Sequence, residues 1–489
     1  MAAPATTPTT AQQATRRRHG SEQVLAAGFL LALALGTWLR VRLLLGGALD
    51  YDEGVYWQSL RALRSGHGLF GSVYSSQPPG FLALMAPVAR LVSHSIVPAR
   101  LEVLAISLLG CLAATGLVWR RFGPAGALLT FTLLAVDPLI VHESVTLQAD
   151  SPATALGLVA VWLSDTSSGA RGRKRDAWAA LAGATLALAV LVKLFALVFA
   201  VAITVILVRG GGRRPGWRDL AERLGSAAIG ACVVTAALLL PFVGVWGDLW
   251  NQVVAGHLTD VARIEAAVGG IPTSAIDREA PLLAVGALGL AAAARLRPRG
   301  AILLTALAVP PVAFLLISRP IFPHHLVLAA MPLTACAAPL AAISRRPRSR
   351  VRLVGMGATA AAVAVLLIVS LNVTPAPLQM ANNTAAAIDR AVPAADLVIT
   401  DDQFTLAMAD RSTPAQLVDT STARILSGLL NSATVERIVT RDHVNAVIFA
   451  SGRLARLPGL HDWVARRFPH AEGLPDGSVM YIRQARPDA

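Results

Sequence analysis

The chain has 489 residues, 55% of them hydrophobic and only 15% charged, with a mean hydropathy of +0.59. That composition excludes an ordinary soluble globular protein and points to a polytopic membrane protein. The net charge of +14 is no sign of nucleic-acid binding: residues 376–489 carry 11 Arg against 12 Asp or Glu, so the basic excess lies in short loops of the apolar part, as positive-inside retention requires.

Residues 1–15 are rich in Ala, Thr, Pro and Gln, and residues 1–20 are expected to be a disordered cytoplasmic terminus. The apolar run 22–45 is too long for a signal-peptide core and reads as an uncleaved helix. Arg16, Arg17 and Arg18 hold its start inside, so the stretch Asp50-Tyr51-Asp52-Glu53-Gly54 after it faces outward. A solvated exit loop would carry these acids cheaply. Two features favour a shaped site instead: Tyr56 and Trp57 suit a sugar or lipid headgroup, and Pro78-Pro79 stiffens the return to the membrane. Segment 79–94 is short, and a full crossing there would put Arg120-Arg121 outside, so it reads as partial or re-entrant.

Further apolar runs lie near 97–119, 124–141, 150–164, 177–208, 223–245, 281–296, 300–317, 323–343 and 351–372. As one helix the run 177–208 would be about 48 Å long, against about 30 Å of hydrocarbon. It is flanked by basic clusters on both sides, so two crossings with a turn near Lys193 are expected. The result is about eleven crossings, with outer loops at 46–78, 142–149, 246–280 and 318–323. Trp246, Trp250 and His257 predict an interfacial helix in the third of these. Cys111, Cys232 and Cys336 sit in apolar runs as packing residues.

After Pro375 the pattern changes to that of a small α/β domain, 375–489, placed outside by the topology. Strands are expected over 395–402, 445–450 and 478–482, with helices over 403–410, 421–430 and 460–468. Acceptor binding or closure over a site is its expected role.

The order of short motifs along the first 340 residues resembles the GT-C glycosyltransferases, most closely the protein O-mannosyltransferase and lipid A aminoarabinose transferase branches. The motifs are Asp52-Glu53-Gly54, Gly66 and Gly68 with Tyr74, Gln77-Pro78-Pro79-Gly80, Arg100-Leu101, Arg120-Arg121-Phe122-Gly123, Gln148-Ala149-Asp150 and Lys193 in Leu191-Val192-Lys193-Leu194. The resemblance implies a GT-C-like transmembrane domain over 21–374 and a plasma-membrane enzyme. It would move a hexose or pentose from a polyprenyl-phosphate donor to an extracytoplasmic glycan, lipid or protein by inverting displacement. It also implies Asp52 as the base.

The residues fit that chemistry. Transfer to a hydroxyl needs a carboxylate base, and a cation near the leaving phosphate helps. Glu53 would orient Asp52 or the acceptor. Asp150, beside Gln148, is either a second carboxylate or only a helix cap. His142 and Glu143 are weaker candidates. Lys193 would hold the phosphate or merely snorkel to the interface. Arg319 with His324-His325 forms a second cationic cluster, and Tyr56 and Gln77 would line the substrate site. A metal on Asp50-x-Asp52 and the two histidines is not favoured, since adjacent histidines rarely share one ion. No cofactor is assigned, and a divalent metal is left open without being favoured. A lipid-linked sugar transporter would need a midplane site and a twofold repeat, neither of which is visible. A non-catalytic glycan-binding scaffold would leave Asp52 dispensable.

Overall fold

The apolar runs fold as helices because only helices satisfy every backbone polar group in hydrocarbon while leaving their faces apolar. The computed structural model describes residues 10–46, 50–92, 94–209, 216–259, 261–269, 271–296, 298–343, 350–373 and 378–483. The expected domain boundary at Pro375 lies outside these. Helix α1 (Thr10–Gly46) is followed by α2 (Tyr51–Arg64), α3 (Gly80–Met85), α4 (Val97–Phe122), α5 (Pro124–Val136), α6 (Pro138–Glu143), α7 (Asp150–Gly169), α8 (Gly172–Val192) and α9 (Phe199–Arg209). Next come α10 (Trp217–Leu239), α11 (Trp246–Trp250), α12 (Gly256–Leu258), α13 (Val261–Val268), α14 (Thr273–Leu296), α15 (Pro298–Ile317), α16 (Val327–Cys336), α17 (Ala338–Ile343) and α18 (Arg350–Asn372).

Among the described residues, seven helical segments are long and apolar enough to cross a membrane: Glu22–Leu44, Val97–Phe122, Gly172–Val192, Trp217–Leu258, Gly300–Ile317, Pro323–Ala341 and Gly355–Asn372. Shorter apolar helices and the more polar α7 and α14 fill the bundle between them. The protein is a multi-pass helical membrane protein. Three details sharpen the sequence reading. The expected partial segment contains α3 and a 3-10 turn, Ala86–Leu91, together about 21 Å of helix and too short to span. The run 177–208 breaks at Lys193, whose backbone is extended between α8 and the 3-10 turn Leu194–Val198. Gly80 supports that break: a Cβ there would lie 2.5 Å from the Leu191 backbone.

Helix extends into two of the stretches expected to be irregular. Helix α1 begins at Thr10, inside the stretch expected to be disordered, because Ala-Gln-Gln-Ala-Thr-Arg is a fair helix former continuous with an apolar helix. The stretch from 246, expected as an outer loop with an interfacial helix, is helical through the two tryptophans to Leu258.

Beyond α18 lie α19 (Leu378–Ala391), β1 (Val398–Thr400), α20 (Gln403–Met408), α21 (Thr422–Leu426), α22 (Ser432–Arg441), β2 (Ala446–Phe449), α23 (Leu460–Arg467), β3 (His470–Gly473) and β4 (Val479–Ile482). The sheet order is β1-β2-β4-β3, with β1 parallel to β2 and the other pairs antiparallel. Alternation puts Ile399 and Val447 in the core on one face, and Val398, Ile448 and Met480 in the core on the other. The three expected strands are present. The fourth, β3, is an exposed edge without apolar alternation, so its pattern carries no strand signal.

This domain is not an appendage. Phe404, Ala407, Ala415 and Val418 belong to the core of the membrane part. Helix α20 packs on α2 so closely that a Cβ on Gly54 would stand 2.3 Å from the Phe404 nitrogen. Only glycine permits that approach.

Candidate active site

The site is assembled where the ends of several helices meet. Asp50 caps α2: its carboxylate accepts the Asp52 N–H at 2.8 Å. That cap aims Asp52 outward from the first turn, where 45% of its side chain remains exposed. The surrounding protein still desolvates Asp52, and Asp50 repels its negative charge. Together they push its carboxyl up to about 6, against the pull of His324 and Lys193.

Asp150 opens α7 and is buried. It does not cap the helix. Its Oδ2 takes the Lys193 ammonium at 2.6 Å, which removes the reading of Asp150 as a cap alone. Lys193 is itself buried and lies 5.0 Å from the centre of the Phe195 ring, so it does not snorkel. His324 and His325, on the 3-10 turn before α16, bridge the two acids. His324 Nε2 is 3.9 Å from Asp52 and His325 Nε2 is 4.0 Å from Asp150.

Tyr56 stands edge-on to Phe81 with ring centres 4.6 Å apart. Burial, with Asp52 and Asp150 nearby, pushes its hydroxyl well up, so it stays a neutral donor. Gln148 is buried with no partner for either amide atom among the described residues, an uncommon cost unless a ligand supplies one.

Asp52, Asp150, Lys193, His324, His325 and Tyr56 are therefore brought together, with Gln148 two residues before Asp150. Three expected residues are not. Glu53 is fully buried and turned away from Asp52: it takes Arg100 through both oxygens at 2.7 and 2.6 Å and accepts the Leu147 N–H at 2.8 Å. It is a bracket tying α2 to α4 and the turn before α7. Arg319 pairs with Glu265 at 2.9 Å, so it does not join the histidines. Gln77 is held through its main chain by Ser75. His142 and Glu143 pair with each other at 3.0 Å.

Asp150, His324 and His325 offer ligand atoms all within 4.8 Å of one another, so the adjacent histidines do converge on one point. Two contacts oppose a metal there. Lys193 already supplies a cation to Asp150, and His325 Nδ1 accepts the Phe322 N–H at 3.3 Å. The second contact puts the neutral ring's proton on Nε2, so a donor faces Asp150 and no lone pair does.

Sequence reasoning missed the residues that hold α2 from the far side. The Tyr51 hydroxyl donates to Asp419 at 3.2 Å and accepts the Thr420 N–H at 2.8 Å, and Arg453 lies 3.9 Å over its ring. These partners are about 370–400 residues away in sequence, and no local pattern marks them.

A family model described as dolichyl-phosphate-mannose-protein mannosyltransferase matches residues 76–242. No curated protein matches the chain. ArnT from Cupriavidus metallidurans bound to undecaprenyl phosphate is similar in structure, with a TM-score of 0.66 at 16% identity, covering 93% of this chain and 98% of that one. Its apo form gives 0.65 at 15% identity, with 96% and 98% covered. The Archaeoglobus fulgidus oligosaccharyltransferase AglB, in complex with an inhibitory peptide and a dolichol-phosphate, gives 0.54 at 14% identity, covering 95% of this chain and 74% of that one. The fold is that of the GT-C glycosyltransferases.

Proposed function

We propose that the protein is a glycosyltransferase that moves a sugar from a polyprenyl-phosphate donor to a hydroxyl of an extracytoplasmic acceptor. The observation that carries this reading is the division of labour between two acids. Asp150 is neutralised by Lys193, whereas Asp52 keeps an open carboxylate 3.9 Å from His324.

Asp52 is the general base and takes the proton of the acceptor hydroxyl. The freed oxygen attacks the anomeric carbon from the face opposite the phosphate, so a new glycosidic bond forms as the sugar–phosphate bond breaks. The configuration inverts and polyprenyl phosphate departs with the bonding pair. Lys193 gives one N–H to Asp150 and has two more for phosphate oxygens. His324 adds a donor beside them, and Tyr56 and Gln148 supply hydrogen bonds to sugar hydroxyls. In this partly dry recess a cation stabilises developing phosphate charge more than it would in water.

The end bearing Asp52 faces outward in this reading, because Arg120, Arg121 and the Arg171–Arg175 cluster gather at the other ends of the same helices. The acceptor class comprises cell-wall glycan, lipoglycan or protein. In proteoliposomes the purified protein should consume a polyprenyl-phosphate sugar, release polyprenyl phosphate and give a product of inverted anomeric configuration. Retained configuration, or use of nucleotide sugars alone, would overturn the reading. With the native cysteines replaced, His67→Cys should react with an impermeant thiol reagent from outside and Lys174→Cys only after permeabilisation; the reverse pattern would overturn the orientation.

A further inference from the structure

Two cavities lie along the seam between the C-terminal domain and the membrane part. One, of about 330 Å³, is walled by Tyr74, Asp248 and Gln252 on the membrane side and by Arg424, Arg437 and Arg441 on the other. The second, of about 670 Å³, runs past Arg61 and His67 towards Asp396. Ser72, Gln416 and Arg441 line both, so the two meet as one polar groove. Each cavity is in the size range of ligand sites, and together they exceed the needs of a single sugar.

The charge in the first cavity is unevenly matched. Arg441 is bonded to Asp442 at 2.6 and 2.8 Å. Arg424 and Arg437 form no ion pair among the described residues. Among the described residues Arg437 reaches only the Thr434 hydroxyl, at 3.2 Å. Arg424 is buried against the Tyr74 ring, 3.8 Å from its centre, and donates to the main-chain oxygens of Gln416 and Asp419. Its Nε has no hydrogen-bond partner among the described residues, which is costly for a buried guanidinium. Asp248 stands in the opposite wall and suits sugar hydroxyls.

One wall of the groove is tied to the site through α2. Arg424 holds Asp419, Asp419 accepts the Tyr51 hydroxyl, and Tyr51 is the residue before Asp52. Guanidinium forks match phosphate and carboxylate oxygens in pairs. Resting on the glycosyl-transfer reading, we propose that this seam groove is the acceptor subsite, and that the acceptor is an extended glycan carrying oxyanion groups, phosphate or carboxylate, held by Arg424 and Arg437.

The test is equilibrium binding to the full-length protein in detergent, with excess polyprenyl phosphate present so that the Lys193 site is filled. The probes are mannose 6-phosphate, glucuronic acid and neutral mannose. Wild-type protein should bind at least one anionic probe about tenfold more tightly than mannose, as expected for a charge-assisted pair. Preference for one anion identifies phosphate or carboxylate as the recognised group. Arg437→Gln, at an exposed position where folding is not at risk, should abolish the preference, and Arg437→Lys should restore part of it. Equal binding of all three probes by the wild type, or an unchanged preference in Arg437→Gln, would overturn the proposal. Binding is read without transfer, so an enzyme inactive on every lipid-linked sugar could still pass, and an active one could fail.

Discussion

The two ends of the helix bundle both gather acids and bases, and they treat them differently. At the end opposite the site, Asp165 is buried beneath Arg120 and Arg121, and Arg175 is enclosed by Asp176, Asp219 and Glu222. Each of these charges has a close partner. At the site end Asp150 is matched just as tightly by Lys193, but Asp52 is left with a histidine at 3.9 Å and a half-open carboxylate. The first end spends its charges on joining helices. The second keeps one charge in reserve, which is what a proton acceptor needs.

Substitutions at the two ends should separate these roles. The largest effect belongs to Asp52→Asn, which keeps the shape and removes the proton acceptor. Transfer should fall by about 10²–10⁴-fold, with protein level and donor binding unchanged. Wild-type transfer by this variant would remove the contrast altogether.

Lys193→Ala leaves Asp150 buried without its cation, at a cost of about 3–5 kcal/mol in stability along with weakened donor binding. Thermal unfolding in detergent reads the first and donor titration the second. Pairing it with Asp150→Leu should recover the stability but not the binding. Recovery of both would make the pair purely structural.

The reserve charge also has a pH signature. Because the Asp52 carboxyl is raised to about 6 and acts as the ionised form, transfer should rise with pH, be half-maximal near 6, and drop about tenfold per unit below that. Asp50→Asn keeps the cap but removes the like charge, so the midpoint should move down. A midpoint that stays put would assign the limb to another group.

Gly54→Ala forces a Cβ against the Phe404 backbone and should cost about 1–3 kcal/mol. Faster proteolysis of the C-terminal domain would report the loosened seam, and unchanged proteolysis would show that α2 does not depend on it. The smallest functional effect is expected from Asp165→Asn. Its guanidinium partners are 33–39% exposed, so the thermal midpoint should fall slightly while transfer per folded molecule stays within about twofold. A large loss of transfer would mean that the far end is coupled to the chemistry.

Much of the site was legible because membrane insertion writes a strong pattern. Charges are excluded from hydrocarbon, so Asp52, Asp150 and the two histidines stand out at the ends of apolar runs and Lys193 in the middle of one. The same logic misjudged Glu53 and Arg319. Adjacency to Asp52 suggested a shared role, but successive residues on a helix point about 100° apart, so Glu53 turns inward to Arg100 while Asp52 stays at the recess. Arg319 lies five residues from His324, yet Glu265, itself charged and half exposed, is within its reach.

By itself the sequence determined the helical membrane architecture, the break at Lys193, the α/β character of the C-terminal segment and the residue types available for glycosyl transfer, because hydropathy and charge placement are local properties. Only the tertiary structure decided which acid is neutralised and which is free, that α20 lies against Gly54, and that a cationic groove follows the seam. Those outcomes depend on contacts between residues hundreds of positions apart, where burial and partner distance, rather than residue type, decide what a carboxylate or a guanidinium does.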